Sequence, residues 1–191
     1  MTAVPRVSSS APADYELVAA IADGSLEALG QLFERYEPVL RRYVGRLGIG
    51  SGDVDDLVQA TFLEVVRAAR RFDPQYSPRG WLFGIATLMV RRHHRSVSRA
   101  AARMAAWARV VHSDLAPTPA EIFEGDEAMR RVASAFERLS SKKREVFVLV
   151  TLEGLSGEEA ANILGIPVST VWTRLHHARL ELRTALEDHE R

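Results

Sequence analysis

The sequence contains no cysteine among its 191 residues. This absence excludes disulfide bonds, thiolate zinc sites and any redox switch built into this chain. The six histidines include two adjacent pairs, and neighbouring residues point to different sides of a helix, so neither pair suits a single metal ion. No HExxH motif and no carboxylate cluster at metal-ligand spacing accompanies them. The sequence therefore predicts no catalytic residue, no metal site, no cofactor and no small-molecule substrate.

Long apolar runs are also missing, since no stretch approaches the roughly 20 residues that a membrane-spanning helix requires. The first 13 residues are rich in serine, alanine and proline, and they lack the apolar core of a signal peptide. We therefore predict a disordered N-terminal tail, no membrane insertion and a cytoplasmic location.

The chain has no net charge, because 25 basic residues balance 25 acidic ones. This average conceals a basic block at 67–109, which contains ten arginines and one aspartate. An acidic segment at 111–129 follows it, with five carboxylates and neither lysine nor arginine. A concentrated positive block predicts binding to a polyanion such as nucleic acid. The acidic segment offers a surface to basic protein partners.

Apolar residues recur at helical spacing through most of the chain, and no strand pattern is found. Ser25 is placed to begin a long helix, which Gly48 and Gly50 end. After a second helix and a proline-containing loop, Ser77 and Pro78 are placed to open a third helix. The predicted fold class is all-α, with two small helical domains joined by a flexible linker. The boundaries are 1–13 for the tail, 14–98 for the first domain, 99–126 for the linker and 127–191 for the second domain.

Residues 155–179 have the layout of a helix, a tight turn and a second helix. Ser156 and Glu159 have the spacing of a capping box, in which each side chain bonds the other residue's backbone amide. Gly165 lies where the chain must turn and where a positive φ is needed. This layout is typical of a helix-turn-helix DNA reader. The alternative is a helical hairpin within a bundle.

The second helix of this motif separates an apolar stripe from a polar and basic face. Ser169 or Thr170 is placed to cap its N-terminus. Its apolar residues share one stripe: Val171, Leu175, Ala178 and Leu182. The residues outside that stripe can donate to phosphates and base edges: Ser169, Thr170, Trp172, Thr173, Arg174, His176, His177 and Arg179. The alternative for the arginines of this face is that they are merely solvated.

Together with segments 52–65 and 71–86, this motif identifies a family. In this order and separation, the three stretches resemble the small alternative sigma factors of the extracytoplasmic-function (ECF) group within the sigma-70 family. The match covers roughly 24–95 and 127–186. The resemblance implies a protein that binds core RNA polymerase and directs promoter-specific initiation. It also implies a first domain like sigma region 2, a second like region 4, and an anti-sigma factor as a partner.

The resemblance places the polymerase contact on the second helix of the first domain. The family's contact residues carry over to Asp55, Asp56, Gln59 and Glu64. Exposed acids and an amide at helical spacing suit a basic coiled coil on the polymerase. Ala60 departs from the family, which often has Glu there. Without the resemblance, this helix face would be read as merely solvated.

The loop and helix that follow are implied to open the −10 element and capture its bases. Melting costs a few kcal/mol per base unless stacking and a pocket recover it, and aromatic rings beside cations supply both. The residues implied are Arg70, Arg71, Phe72, Tyr76, Arg79, Trp81, Arg91, Arg92 and Arg95. The alternative is that Phe72 and Trp81 belong to the core. Leu88 replaces the polar Asn that many relatives carry on this helix.

The second domain is implied to read the −35 element of promoter DNA with the exposed face of its helix-turn-helix. Trp172 stands where the family usually has Lys or Arg, so stacking or an apolar contact replaces a phosphate contact. The linker acids Asp114, Glu121 and Glu124 are expected either to mimic phosphates in the polymerase channel or to form a solvated spacer.

Two other classes of function compete with this interpretation. A stand-alone helix-turn-helix regulator would bind an operator without core polymerase and use the first domain to bind a ligand or to dimerise. An enzyme is the third class, but the histidine and carboxylate spacings do not support it.

Overall fold

The computed structural model describes residues 11–108 and 127–187, and every regular element in these two ranges is helical. The predicted all-α fold class is therefore confirmed. The α-helices are α1 (Ala11–Ala22), α2 (Leu26–Arg46), α3 (Ser51–Ala68), α4 (Pro78–Ala108), α5 (Glu127–Arg138), α6 (Ser141–Phe147), α7 (Gly157–Leu164) and α8 (Val168–Glu187). Within the described ranges, no helix is both long and apolar enough to cross a membrane.

Helix α1 begins inside the segment that the sequence predicted to be a disordered tail. Residues 1–10 of that tail lie outside the described residues, but 11–13 are helical. The buried Asp14 accepts a hydrogen bond from the Tyr36 hydroxyl at 2.6 Å and pairs with Arg35, which ties α1 to α2. The sequence analysis missed this helix because its alanine-rich composition gives only a faint amphipathic pattern.

The first domain packs α2, α3 and α4 around one apolar core, and its helix ends follow the predicted signals. Ser25 caps α2 by accepting a hydrogen bond from the Ala28 amide at 3.1 Å. Gly48 follows the end of this helix with a φ of +87°, a conformation that favours glycine. At the centre of the core, the Tyr43 hydroxyl lies 2.6 Å from the Thr87 hydroxyl. Burial raises the pKa of Tyr43, so the phenol stays neutral.

Helix α4 carries the first domain toward the linker. Ser77 caps it, because its hydroxyl accepts a hydrogen bond from the Gly80 amide at 3.0 Å, and Pro78 is its first residue. The helix continues to Ala108, through the first ten residues of the predicted linker. The rest of that linker, 109–126, lies outside the described residues.

The second domain contains α5 to α8, with a π-helical turn at Val148–Leu152 after α6. Arg144 is half-buried and connects α6 to the end of α5. Its guanidinium donates to the carbonyls of Phe136, Glu137 and Leu139 at 3.2, 2.7 and 3.3 Å, and so satisfies the end of α5. Burial lowers the pKa of Arg144 below its ordinary value, and the three carbonyls offset part of the cost of desolvation.

The two domains pack against each other and share one hydrophobic core. Helix α7 lies along α4, and the approach is close at Gly84, where a Cβ would lie 3.9 Å from Cγ1 of Ile163. This packing determines which predicted site residues face solvent and which face the other domain.

Candidate polymerase-binding and promoter-binding surfaces

The helix-turn-helix is formed by α7, a tight turn and α8, as the sequence predicted. The Glu159 amide donates to the Ser156 hydroxyl at 3.1 Å, and the Ser156 amide donates to the Glu159 carboxylate at 2.9 Å, which completes the capping box. Gly165 ends α7 with a φ of +67°. These signals are local in sequence, which is why the motif could be identified without the fold.

The predicted cap of α8 is wrong. The helix begins at Val168, so Ser169 and Thr170 lie in its first turn. The Pro167 carbonyl accepts the Thr170 and Val171 amides at 2.9 and 3.2 Å. Proline therefore starts this helix through its backbone, and the two hydroxyls remain in the first turn.

Polar residues of α8 lie outside its buried stripe. Val171, Leu175 and Ala178 are buried, as predicted, and Leu182 is half-buried. Six of the eight predicted DNA contacts are exposed, and Thr170 and Arg174 are half-buried. By helical periodicity, the residues farthest from the buried stripe are Ser169, Thr173, His176 and His177. The Thr173 hydroxyl donates back to the Ser169 carbonyl at 3.0 Å.

Trp172 and Arg179 lie closer to the buried stripe of α8 than Ser169, Thr173 and the two histidines do. The Trp172 side chain is 51% exposed, and its ring covers Gly157, where a Cβ would lie only 2.5 Å from Cζ2 of the indole. Arg179 lines an apolar groove beside Leu182 and Leu186, so the structure does not bring it together with Ser169 and the residues around it.

The aromatic residues predicted for −10 capture lie at the start of α4 and in the loop before it. Phe72 is half-buried between Trp81 and Tyr15, with ring centroids 5.0 and 6.0 Å apart. Tyr76 is 43% exposed, and its carbonyl accepts a hydrogen bond from the Tyr15 hydroxyl at 3.0 Å. The sequence analysis missed Tyr15, because nothing in the local pattern of α1 indicated that it would meet this loop.

A cleft of 940 Å³ separates these aromatic residues from the second domain. Tyr76, Trp81 and Leu88 line it on one side, and Glu158 and Glu159 of α7 line it on the other. The first domain also contributes Arg91 to the lining, and the second also contributes Asn162 and Ile163.

The arginines predicted for −10 binding fall into two groups. Arg71, Arg92 and Arg95 are exposed, and by helical periodicity the last two share a side of α4 with Trp81. The others make contacts within the chain. Arg70 donates to the Ala22 carbonyl at 3.0 Å and so caps α1.

The remaining two arginines of the set, Arg79 and Arg91, face the second domain. Arg79 donates to the Glu153 carbonyl at 2.8 Å and lies over the Phe83 ring at 5.1 Å. Arg91 makes two hydrogen bonds to the Glu145 carboxylate, at 2.9 and 2.7 Å. These hydrogen bonds, which Arg91 donates to Glu145, raise the pKa of Arg91 above its ordinary value, despite an opposing effect of burial.

The predicted polymerase surface lies on the outer side of α3. Asp55, Asp56 and Gln59 are exposed and share this side by helical periodicity. Two apolar residues lie there as well, since Leu63 is 61% exposed and Val66 is 42% exposed. The sequence signal for these two was available, because both fall outside the buried stripe of α3.

Two acids of the predicted polymerase set already make ion pairs. Asp55 pairs with Arg41 of α2, which anchors the beginning of the face. Glu64 lies off the face, half-buried, and pairs with Arg67 at 3.5 Å. Within the described residues, no group of three or more histidines and carboxylates is placed to hold a metal ion.

Known proteins similar to this chain are sigma factors. The family Sigma-70 region 2 matches residues 32–106, and the family Sigma-70, region 4 matches residues 129–182. RNA polymerase sigma factor CnrH of Cupriavidus metallidurans is 34% identical over 182 residues, which cover 92% of this chain and 95% of CnrH. ECF RNA polymerase sigma factor SigC of Mycobacterium tuberculosis is 33% identical over 175 residues, which cover 87% of this chain and 89% of SigC.

Solved structures lead to the same family. CnrH in complex with the cytosolic domain of CnrY has a TM-score of 0.68 at 35% identity, covering 92% of this chain and 98% of CnrH. The sigma factor RpoE in complex with the anti-sigma factor NepR, from Bartonella quintana, has a TM-score of 0.65 at 26% identity, covering 85% of this chain and 98% of RpoE. The chain therefore belongs to the sigma-70 family, as an alternative sigma factor of the ECF group that directs the initiation of transcription.

Proposed function

We propose that the two domains divide promoter recognition between them. The first domain binds core RNA polymerase through α3 and captures the −10 element with the loop before α4 and with α4 itself. The second domain reads the −35 element with α8. The observation that carries this division is the separation of the surfaces, because the exposed sides of α3 and α8 belong to different domains.

The polymerase-binding surface consists of Asp55, Asp56 and Gln59 together with the exposed pair Leu63 and Val66. Exposed apolar side chains beside charged ones are typical of a protein interface. Binding removes the apolar groups from water, and the carboxylates favour a partner with a basic surface. Glu64 supports the surface through Arg67 and makes no direct contact in this proposal.

The −10 surface combines aromatic stacking with phosphate binding. Each stacked base contributes about 1–3 kcal/mol, which offsets the cost of taking that base out of the duplex. Tyr76 and Trp81 offer rings to the cleft, and Arg92 and Arg95 offer cations on the same side of α4. Phe72 packs against Trp81 and so supports its position. Arg70 caps the C-terminal end of α1 and has a structural role in this proposal.

The −35 surface is the exposed side of α8. Ser169, Thr173, His176 and His177 face away from the core, where they can reach base edges in the major groove. Arg174 lies at one edge and is assigned to the phosphates.

The partners follow from this division. Core RNA polymerase carries out the chemistry of RNA synthesis, so this chain supplies binding energy and no catalysis. The chain works in the cytoplasm, where it meets the polymerase and promoter DNA. An anti-sigma factor is a further partner, as it is for the structurally similar RpoE.

Two pairs of substitutions test the division. We expect D56A/Q59A to weaken core binding at least tenfold, because it removes an exposed acid and amide from α3. We expect R174A/H177A to leave core binding intact and to weaken −35 recognition by a similar factor. Fluorescence anisotropy would measure core binding, and abortive transcription from a promoter selected by the wild-type holoenzyme would measure recognition.

Q31A/E34A serves as the control, since it removes an amide and an exposed acid of the same types from α2. If both test variants lost the same activity, the division of labour would be refuted. Promoter-specific binding by the free chain, at full affinity and without core, would instead favour a stand-alone regulator.

A further inference from the structure

An apolar patch borders the polar side of α8, the second helix of the helix-turn-helix. In the first two turns of this helix, Val168 is 37% exposed and Trp172 is 51% exposed. The two residues are four apart, so their side chains are neighbours on one side of the helix. We call this pair the apolar patch. In a helix-turn-helix, residues near the N-terminus of the second helix contact the base edges. The patch therefore lies where the proposed function places sequence reading.

The larger member of the apolar patch is held in place by α7. The Trp172 ring covers Gly157, where a Cβ would lie 2.5 Å from Cζ2 and 2.9 Å from Cε2 of the indole. No side chain fits between the ring and the backbone of α7 at this point. A ring held in this way loses little conformational entropy when it binds a partner. Trp172 is therefore preorganised, with one part of its surface against α7 and the rest exposed.

The surroundings of the apolar patch favour a base over a phosphate. The indole has one N–H donor and no charge, so it offers a phosphate little. Glu158 follows Gly157 along α7 and is exposed. Its negative charge repels a phosphate that approaches the ring from this side, whereas the edge of a base pair carries no net charge. The patch therefore suits a base edge in the major groove better than the DNA backbone.

Hydrogen-bonding residues flank the apolar patch. Ser169 lies three residues before Trp172 and His176 lies four residues after it, and both are exposed. Both side chains can hydrogen-bond to base edges. In the major groove, thymine presents a methyl group beside its O4 acceptor, whereas cytosine presents the N4 donor and no methyl group. An apolar patch next to hydrogen-bonding groups therefore matches thymine.

We propose that Val168 and Trp172 form a subsite that selects the C5-methyl group of one thymine in the −35 element. This inference rests on the assignment of α8 to the −35 element in the proposed function, and it adds a specificity determinant to that surface. The patch removes the methyl group from water, and the polar residues beside it bind the hydrogen-bonding groups of the base pair. Burial of one methyl group raises affinity about fourfold, which can be measured base by base.

Replacing thymine by uracil removes this methyl group and leaves the base pair intact. The test uses a promoter selected by the wild-type holoenzyme, with each thymine of its −35 element replaced in turn. We expect uracil to weaken binding of the wild-type holoenzyme about fourfold at one position. The W172A holoenzyme should bind the two duplexes equally at that position. Because the result is a ratio of two affinities for one protein, a lower overall affinity of W172A does not affect it.

Two further variants separate the methyl contact from the packing of Trp172 on Gly157. V168A leaves the indole in place, and we expect it to reduce the discrimination against uracil to about twofold, because half of the patch remains. L180A is the matched control, since Leu180 is an exposed apolar residue farther along the same helix. This control should keep the full discrimination.

Methylated cytosine gives the reciprocal measurement. With cytosine in place of the discriminated thymine, 5-methylation should raise the affinity of the wild-type holoenzyme about fourfold and leave that of W172A unchanged. Equal binding of thymine and uracil at every −35 position, a −35 element without thymine, discrimination that persists in W172A, or an equal loss in L180A would overturn the proposal. Unchanged −35 recognition by R174A/H177A would instead refute the assignment of α8 to the −35 element.

Discussion

At the scale of single residues, a glycine and a tryptophan determine how the two helices of the DNA reader fit together. The Trp172 ring covers Gly157 at the start of α7, where no side chain could be added without moving the ring. The rest of the residue is exposed to solvent on α8. Trp172 therefore positions α8 against α7, in addition to any contact with DNA.

We expect G157A to lower the free energy of unfolding by about 1–3 kcal/mol, because the added methyl overpacks against the indole. In a W172A background the same change should be neutral or slightly stabilising, since alanine favours a helix over glycine. Urea denaturation of the four proteins would measure the difference. Equal effects in both backgrounds would show that the ring does not cover Gly157 in solution.

At the scale of elements, one carboxylate serves two helix N-termini. Glu159 completes the capping box of α7 with Ser156, and it also accepts a hydrogen bond from Ser77, which caps α4. The unpaired amides at the start of each helix favour negative charge there. Helices α7 and α4 are thereby linked through a single side chain.

The capping box formed by Ser156 and Glu159 should stabilise α7. We expect S156A to lower the free energy of unfolding by about 1 kcal/mol, because it leaves the Glu159 amide without its partner. Ser140 occupies the same cap position before α6 but makes no side-chain cap bond, so S140A should have a clearly smaller effect. Chemical denaturation followed by circular dichroism would compare them, and equal losses would contradict the assigned role of the box.

At the scale of the whole molecule, the domains share a core and a set of ion pairs. Glu145 and Glu153 are nearly buried and pair with arginines of the first domain. A partial separation of the domains would break these ion pairs before water could solvate the two carboxylates, so it would cost free energy. The chain should consequently unfold as one unit, although two different families match its two halves.

Tryptophan reporters in each domain test this cooperativity. With the other indoles replaced by phenylalanine, Trp81 reports the first domain and Trp172 the second. We expect both to give the same urea midpoint in the wild-type background, because a shared core makes unfolding cooperative. In E145Q/E153Q the two midpoints should move apart. Two separate midpoints in the wild-type background would show that the domains are independent.

The amino-acid sequence determined the features that depend on neighbours along the chain. Capping residues, the positive-φ glycine at 165 and the apolar stripe of α8 act within a few residues of each other, so their pattern predicts helices, the reader motif and the family. The cap of α8 was predicted wrongly because a proline carbonyl did what a hydroxyl was expected to do. Helix α1 was missed because alanine gives little contrast between its faces.

Only the tertiary structure decided how the domains meet. Arg91 and Glu145 are 54 residues apart and Arg46 and Glu153 are 107 apart, and no local periodicity links such positions. In the sequence Arg91 is simply part of a basic block suited to DNA, and Arg46 is a basic residue near the end of a predicted helix. Packing of α7 on α4 places carboxylates against three of the first domain's arginines while α3 stays exposed. The sequence therefore determined which surfaces the chain contains, and the packing of the domains decided which of them are available, because that depends on contacts between distant residues.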